Sequence, residues 1–361
     1  MGTNRYTITR VETWVEHLEL TKPYTIAYKT VESVENVFVR IESGDGTIGL
    51  GAGSPAAFVT GETSEACVAA LEANAEALMK GRDVRQMQVI CRELFARMPE
   101  TPAARTAIDL ALHDLLGRLM DAPVVSLLGR AHRALPTSVT IGIKGPEETA
   151  VEGKEYRQQG FRIIKLKIGK DLEQDIATTR LLREAVGKEM GIRVDANQGY
   201  TAADLVRYAK ETADCDIELI EQPLPEDRSA DMLEAPEALR RICAADESLK
   251  IPADALTLAP RPQSYGIYNI KLMKCGGIVP AMEIGTIARL AGIELMWGCM
   301  DESIISITGA LHAALASPAT RYLDLDGSFD LERDLVKGGF ILKEGMLSVS
   351  DDLPGLGVEL L

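Results

Sequence analysis

The sequence predicts an α/β fold, a TIM-type (β/α)7β barrel joined to an α+β capping domain. Short apolar segments with strand character recur along the chain, and each ends in a polar residue, at intervals of 25 to 28 residues between Lys167 and Asp324. Helical patterns separate these segments, which is typical of parallel strands joined by helical crossovers. Eight strands are predicted from residues 137–141 to 322–324, and such a barrel carries its active site at the C-terminal ends of its strands. The alternative, a doubly wound open sheet, would not bring all of these charged residues together at one site.

The chain before the predicted barrel has a different pattern. Strand-like alternation at residues 8–20 and 36–42 is followed by a Gly-Asp-Gly hairpin turn, and three helical patterns come next. Strands followed by helices indicate an α+β unit. We therefore expect a capping domain at residues 1–125, the barrel at residues 126–326, and a C-terminal segment, residues 327–361, that packs back on the capping domain.

Composition narrows the classes of function. The net charge of −15 argues against nonspecific nucleic-acid binding, and no apolar run reaches the length of a membrane span. The six cysteines lack the spacing of metal-binding fingers, and in a chain of 361 residues they indicate reduced thiols in a cytoplasmic protein. We expect an enzyme that acts on a small molecule and binds neither nucleic acid nor membrane. A homo-oligomer is compatible with the sequence, which carries no feature that requires one.

Two lysines alternate in the second predicted barrel strand. Lys165 and Lys167 lie in an apolar run, and a period of two places both ammonium groups on one face of the strand. Because like charges disfavour each other's protonation, we expect one lysine pKa to fall toward neutrality, which would suit a general base. The alternative is a solvated edge strand, in which lysine blocks pairing with another strand.

Three carboxylates end the next three predicted strands. They are Asp195, Glu221 and Asp246, and in a barrel mouth they would repel one another unless a cation lay among them. Hard oxygen ligands suit Mg²⁺, so the sequence predicts a magnesium site. A structural alternative, in which each carboxylate pairs with its own cation, does not explain their shared position at strand ends.

Lys271 ends the sixth predicted strand, which lies across the barrel from the second strand and Lys167. A substrate carbon held between these lysines could lose a proton on one face and receive a proton on the other. The metal would stabilise the enolate formed between the two steps. The sequence therefore predicts two acid–base lysines that serve opposite faces of one substrate.

These residues together resemble the muconate-lactonizing-enzyme subgroup of the enolase superfamily. The resemblance rests on Lys-x-Lys at Lys165 and Lys167, on the carboxylate trio, and on Lys271, and it covers nearly the whole chain. It implies the barrel with its capping domain, a bound Mg²⁺, and catalytic roles for the three lysines. None of the four histidines ends a predicted barrel strand, so the His–Asp dyad of mandelate-racemase-like members is absent.

The eighth predicted strand ends in Asp324-Leu325-Asp326, which separates the activities of this subgroup. Period two aims Asp324 and Asp326 the same way, where they could hold a substrate ammonium. The motif resembles that of dipeptide epimerases, in which it binds the free α-amino group, and the same resemblance places Thr140 and Cys299 in the substrate cleft. An ordinary loop-capping role for the aspartates is the alternative. Muconate cycloisomerase, o-succinylbenzoate synthase and N-acyl amino acid racemase remain alternative activities.

Two sequence features point to different dipeptide side chains. Lys29 occupies the place where L-Ala-L-Glu epimerases carry a basic residue for the glutamate side chain, as the resemblance implies. Asp301 and Glu302 follow the seventh predicted strand and would instead suit a cationic side chain. Glu302 could equally begin a helix as a favourable N-terminal charge. The sequence favours cationic dipeptides, with an L-Ala-D/L-Glu epimerase or a noncatalytic binding relative as alternatives.

Overall fold

The structure, a computed structural model, describes residues 4–26 and 29–361. It begins with an antiparallel three-stranded sheet in the order β1-β2-β3, in which long strands form a hairpin. Its strands are β1 (Ile8–Ile26), β2 (Lys29–Ser43) and β3 (Ile48–Gly53). Five helices follow: α1 (Ala57–Thr60), α2 (Ser64–Met79), α3 (Met87–Arg97), α4 (Pro102–Leu119) and α5 (Val124–Leu128). The predicted α+β pattern is confirmed, because the strands precede the helices as expected.

Helix α4 packs directly on strand β3, and glycines allow the close approach. Gly49, Gly51 and Gly53 alternate along β3 and share one face, which faces the backbone of α4. A Cβ atom at Gly51 would lie 1.8 Å from the carbonyl oxygen of Ala107. The Gly-rich run is thus a helix-packing surface.

A short strand, β4 (Ala134–Pro136), leads into the barrel, which is a parallel sheet of eight strands. The strands are β5 (Ser138–Ile141), β6 (Ile163–Lys167), β7 (Gly191–Asp195), β8 (Ile217–Glu221), β9 (Cys243–Ala245), β10 (Ile267–Ile270), β11 (Glu294–Trp297) and β12 (Thr320–Leu323). They pair in chain order, and a parallel bridge between Thr137 and Leu323 joins the two edges. The predicted (β/α)7β barrel is confirmed.

Helices connect the successive barrel strands on the outside. They are α6 (Pro146–Gln158), α7 (Leu172–Val186), α8 (Ala202–Glu211), α9 (Glu237–Arg240), α10 (Pro252–Leu258), α11 (Leu272–Cys275), α12 (Ile278–Ala291) and α13 (Ile304–Ala316), with 3-10 turns at 213–215 and 226–234. A further 3-10 turn at 84–86 lies in the N-terminal unit. Helix α13 is apolar all round, and every residue from Ile305 to Ala316 is buried. Such a helix is typical of a protein interior, and α13 packs against both the barrel and the N-terminal unit.

The C-terminal segment adds strands β13 (Val336–Gly338), β14 (Phe340–Lys343), β15 (Met346–Val349) and β16 (Val358–Leu360). It contacts the N-terminal unit, because Asp114 of α4 accepts a hydrogen bond of 2.7 Å from the backbone N–H of Leu356. It also contacts the barrel, because β15 pairs with β4. These contacts support the division that we propose, in which residues 1–125 and 327–361 flank a barrel of residues 126–326.

No helix in the described residues is both long enough and apolar enough to cross a membrane.

Candidate active site

The C-terminal ends of the barrel strands open into a cavity of about 920 Å³. Residues 54–57 and 62–64 of the N-terminal unit line its other wall. The carboxylate of Glu62 accepts hydrogen bonds from the backbone N–H groups of Ala103 and Ala104, at 2.7 and 3.3 Å, and so caps the N-terminus of α4. The wall of the cavity is therefore tied to the central helix of the N-terminal unit.

Both lysines of β6 line this cavity, as the alternation predicts. The Nζ atom of Lys165 is buried, 2.7 Å from an oxygen of Asp324 and 2.7 Å from an oxygen of Glu221. The Nζ atom of Lys167 is more exposed, and it donates to Asp195 at 2.6 Å and to Asn197 at 3.0 Å. Each lysine thus faces carboxylates rather than solvent alone.

The expected fall of a lysine pKa is wrong for Lys165, and the pKa of Lys271, for which no fall was predicted, is also raised. Burial opposes the charge of Lys165, but Asp324, Glu221 and Asp195 outweigh burial and raise its pKa well above the usual value. Burial likewise opposes the charge of Lys271, and Asp246 raises its pKa. The like-charge argument fails because nearby carboxylates contribute more than the neighbouring lysine does.

The three predicted metal ligands end adjacent strands. Asp195 and Glu221 are paired in register on β7 and β8, and Asp246 follows β9 directly. All three are buried. Lysine ammonium groups contact each of them, since Lys165 lies 3.2 Å from Asp195 and Lys271 lies 2.8 Å from Asp246. These contacts match part of the structural alternative, in which each carboxylate pairs with a cation of the chain.

The chemistry of this donor set nevertheless fits Mg²⁺. Burial and the charges of Asp195 and Asp246 raise the pKa of Glu221 to about 8. Its Oε2 atom lies 2.7 Å from the Lys165 ammonium but accepts no hydrogen bond in acceptable geometry. A divalent cation would stabilise the charged form of Glu221 and would give its Oε2 atom a partner. Within residues 4–26 and 29–361 the His, Cys, Asp and Glu side chains form no closed ligand cluster as they stand. The ligand roles of Asp195, Glu221 and Asp246 stay a prediction.

Lys271 enters the cavity from β10, four strands away from β6 in the sheet. Its Nζ atom donates to Asp246 at 2.8 Å. A second buried lysine, Lys274, also contacts Asp246 and donates to its backbone oxygen at 2.6 Å. Burial lowers the pKa of Lys274. The two lysines therefore share one carboxylate.

The aspartates at the end of β12 are both buried at the cavity. Asp324 accepts hydrogen bonds from Ser138 at 2.6 Å and from Lys165 at 2.7 Å. Asp326 accepts one from the backbone N–H of Thr140 at 2.8 Å, and burial together with the charge of Asp324 raises its pKa to about 7. The structure thus brings Asp324 and Asp326 together with the predicted cleft residue Thr140.

Cys299 lies beside these aspartates, with its thiol 3.2 Å from the backbone oxygen of Asp324. Asp301 lines the cavity, and its backbone oxygen accepts a hydrogen bond of 2.9 Å from Ser54. Glu302 is buried outside the cavity lining, and burial raises its pKa to about 8. Lys29 begins β2, but its side chain lies outside the described residues.

The sequence did not identify three further polar residues at this site, Glu247 in the cavity lining and Asn269 and Lys274 behind it. Asn269 donates to Glu221 at 2.7 Å, and Glu247 lines the cavity with one oxygen lacking a hydrogen-bond partner. Glu247 directly follows Asp246, a predicted metal ligand. Asn269 precedes Lys271 by two residues, so the period of two in a strand could have predicted that both side chains lie on the same face. Lys274 lies beyond the strand end in a short helix, and no periodic signal indicated it.

Models of two protein families match this chain. The model described as "Mandelate racemase / muconate lactonizing enzyme, N-terminal domain" matches residues 8–129, and the one described as "Enolase C-terminal domain-like" matches residues 148–361. The L-Lys-D/L-Arg epimerase of Methylococcus capsulatus is 53% identical over 351 residues, covering 97% of this chain and 98% of that protein. The hydrophobic dipeptide epimerase of Enterococcus faecalis is 36% identical over 352 residues, covering 97% and 99%.

Solved structures are similar over the same length. A crystal structure of the dipeptide epimerase from Methylococcus capsulatus, complexed with Mg and the dipeptide L-Arg-D-Lys, has a TM-score of 0.95 and 53% sequence identity to this chain. The match covers 98% of this chain and 99% of that one.

Proposed function

Because the chain belongs to the mandelate racemase/muconate lactonizing enzyme family, we propose that it is a dipeptide epimerase with a preference for cationic dipeptides. The reaction inverts the α-carbon of the C-terminal residue by proton transfer. The observation that carries this proposal is the placement of Lys167 and Lys271 in one cavity, on strands that lie across the barrel from each other.

The two lysines exchange the roles of base and acid. For one epimer, a neutral Lys167 amine takes the α-proton, and the electron pair of the broken C–H bond passes into the adjacent carboxylate of the substrate. The Lys271 ammonium then donates a proton to the opposite face, and the reverse direction uses the same groups in the opposite order. When bound, Mg²⁺ would supply positive charge that stabilises the enolate and would offset Asp246, the carboxylate that raises the pKa of Lys271.

Asp324 and Asp326 hold the substrate α-ammonium. Both carboxylates line the cavity, and their other partners come from the barrel, so they are fixed before the substrate arrives. A substrate held by its ammonium at one end keeps its α-carbon between the lysines, and misplacement of a reacting atom by about 1 Å can cost about 100-fold in rate. Thr140 and Cys299 fix the position of Asp326 at this end of the cleft.

The negative charge of the cavity lining supports a preference for substrates with cationic side chains. Beyond the residues already given roles, seven acidic residues line the cavity, against Lys144 as the one further basic residue in the described lining. The acidic residues are Glu35, Glu62, Glu148, Glu152, Glu247, Asp301 and Asp330. Such a lining attracts cations and disfavours a glutamate side chain. Similarity to the L-Lys-D/L-Arg epimerase of Methylococcus capsulatus supports the same preference.

A library of dipeptides in D₂O with Mg²⁺ tests the proposal. Dipeptides of Lys and Arg should gain one deuteron at the α-carbon of the C-terminal residue and yield both epimers, faster than Ala-Ala or Ala-Glu. The advantage of cationic dipeptides should shrink as salt is added, because added salt screens charges. Faster turnover of Ala-Glu than of the cationic dipeptides would indicate an L-Ala-D/L-Glu epimerase. Turnover of N-acylated substrates alone would indicate an N-acyl amino acid racemase.

We also propose a cytoplasmic location. All six cysteines are free thiols, which is typical of proteins in a reducing compartment.

A further inference from the structure

We propose that helix α4 of the N-terminal unit positions Lys271, while Lys167 is positioned from within the barrel. The inference rests on the proposed two-lysine function and assigns each base its own supporting element. Perturbing α4 should therefore impair proton transfer on one face of the substrate more than on the other. The supporting residues act through backbone segments and do not contact the substrate.

The polar contacts of α4 reach the segment that follows Lys271. The hydroxyl of Thr106 is buried, and its oxygen lies 2.7 Å from the backbone oxygen of Leu272, the next residue after Lys271. The carboxylate of Asp109, one turn further along α4, accepts hydrogen bonds from the backbone N–H groups of Ile278 and Val279 at 2.7 and 3.3 Å. Asp109 thereby caps the N-terminus of α12, and both ends of the segment are held by α4.

Two glycines between these contacts allow α4 to approach the segment closely. A Cβ atom at Gly276 would lie 2.6 Å from Nε of Arg105, and one at Gly277 would lie 2.4 Å from Cβ of Asp109. Both glycines have positive φ, at 95° and 120°, which other residues rarely adopt. The backbone after Lys271 is therefore packed directly against the helix.

An apolar side chain fixes the same segment in the N-terminal unit. Met273 is fully buried in the hydrophobic cluster formed by β1, β2 and helices α2 to α4, rather than in the barrel cluster. Its sulfur atom accepts a hydrogen bond of 3.1 Å from the backbone N–H of Ser54. The chain thus passes from Lys271 into the core of the N-terminal unit within two residues.

The segment after Lys167 has different partners. The backbone N–H of Gly169 donates to the carboxylate of Asp175 on α7 at 2.8 Å, and the hydroxyl of Tyr200 donates to the same oxygen at 2.8 Å. Ile168 is buried in the barrel cluster. The partners of this segment belong to the barrel, so a change in α4 should leave it in place.

Exchange of the α-proton for deuterium without inversion of the α-carbon is the measurement that distinguishes proton transfer on the two faces of the substrate. The ratio of kcat/KM for the two directions of epimerisation equals the equilibrium constant, which no variant can change. Each lysine can instead return a deuteron to the face from which it took the proton. The rate of this exchange, measured for each epimer of an Arg-Lys dipeptide in D₂O by NMR, reports on one lysine at a time.

Thr106→Val is the test variant, because it keeps the shape of the side chain and removes the hydroxyl. It should slow exchange about fivefold for the epimer whose exchange Lys271→Ala abolishes, relative to the other epimer. Tyr200→Phe should shift the ratio in the opposite direction. Thr106→Ser should restore the parent ratio, and Thr308→Val, which alters a buried helical threonine without a hydrogen-bond partner, should leave it unchanged.

Asp109→Asn provides a second test, because it weakens the cap on α12 and should shift the ratio in the same direction as Thr106→Val. Suppose that Lys271→Ala removes exchange of one epimer, as the two-lysine function predicts. If both α4 variants then slow exchange equally for both epimers, or leave the ratio of exchange rates unchanged, the inference is overturned. If Lys271→Ala leaves both epimers exchanging, the proposed two-lysine function itself fails, and the inference fails with it. Circular dichroism of each variant separates these outcomes from unfolding.

Discussion

Lys165 is the most constrained charge of the site, because its ammonium is buried among Asp195, Glu221 and Asp324. Breaking a buried ion pair leaves uncompensated charges, at a cost of about 3–5 kcal/mol. We expect Lys165→Met to lower the free energy of unfolding by that amount in chelator, as measured by urea denaturation. Lys144→Met, which removes a less buried pair with Glu152, is the control and should cost about 1 kcal/mol or less. Equal effects would show that Lys165 has no special structural role.

Asp326 gives the site a pH dependence near neutrality. Burial and the charge of Asp324 raise its pKa to about 7, so its charged form increases as the pH rises through that value. If this carboxylate holds the substrate ammonium, kcat/KM for free dipeptides should rise about tenfold between about pH 5.5 and about pH 7.5. Asp326→Asn should flatten the profile. The same rise with N-acetyl dipeptides, which lack the charge, would contradict this role.

At the scale of elements, close packing of β3 on α4 determines how the N-terminal unit meets the barrel. Gly51→Ala would place a Cβ atom 1.8 Å from the oxygen of Ala107, so strand and helix must separate. We expect a loss of about 1–3 kcal/mol in the free energy of unfolding, measured with urea. Gly145→Ala is the matched control, because nothing lies within 4 Å of its Cβ position and its φ of −64° suits alanine. A loss at Gly145 as large as that at Gly51 would count against the packing argument.

Elements with a clear period were predictable from the sequence, and elements without one were not. The barrel strands ending at Lys167, Asp195 and Glu221 were found because short apolar runs recur at a fixed interval. Helix α13 has no polar face, so its sequence lacks the amphipathic period that marks a surface helix. The packing role of Gly51 had no signal in the sequence, because it depends on a helix more than fifty residues away.

At the scale of the whole molecule, the positions of the site residues followed from the barrel, whereas their electrostatics did not. Lys167 and Lys271 line one cavity as strand order predicts, because parallel strands bring their C-terminal ends together. The pKa of Lys165 moved opposite to expectation because Asp324, from the far end of the chain, lies 2.7 Å away. Contacts between distant segments of this kind carry no local signal in the sequence.

Magnesium should stabilise the whole molecule if Asp195, Glu221 and Asp246 bind it. A ligand that binds the folded state alone at about 100 times its Kd adds about 2.7 kcal/mol to the free energy of unfolding. Thermal unfolding of the parent protein should therefore shift upward with Mg²⁺ and return with EDTA. Glu221→Gln should lose most of this shift. An equal shift in this variant would show that the ion binds elsewhere.

The most direct test of the central claim is α-proton exchange in D₂O for both epimers of an Arg-Lys dipeptide, with the Lys167→Ala and Lys271→Ala variants. The two-lysine account predicts that both variants lose epimerisation. Each should retain exchange for one epimer only, and the retained epimer should differ between the two variants. Exchange of both epimers by both variants, or of the same epimer by each, would contradict the account.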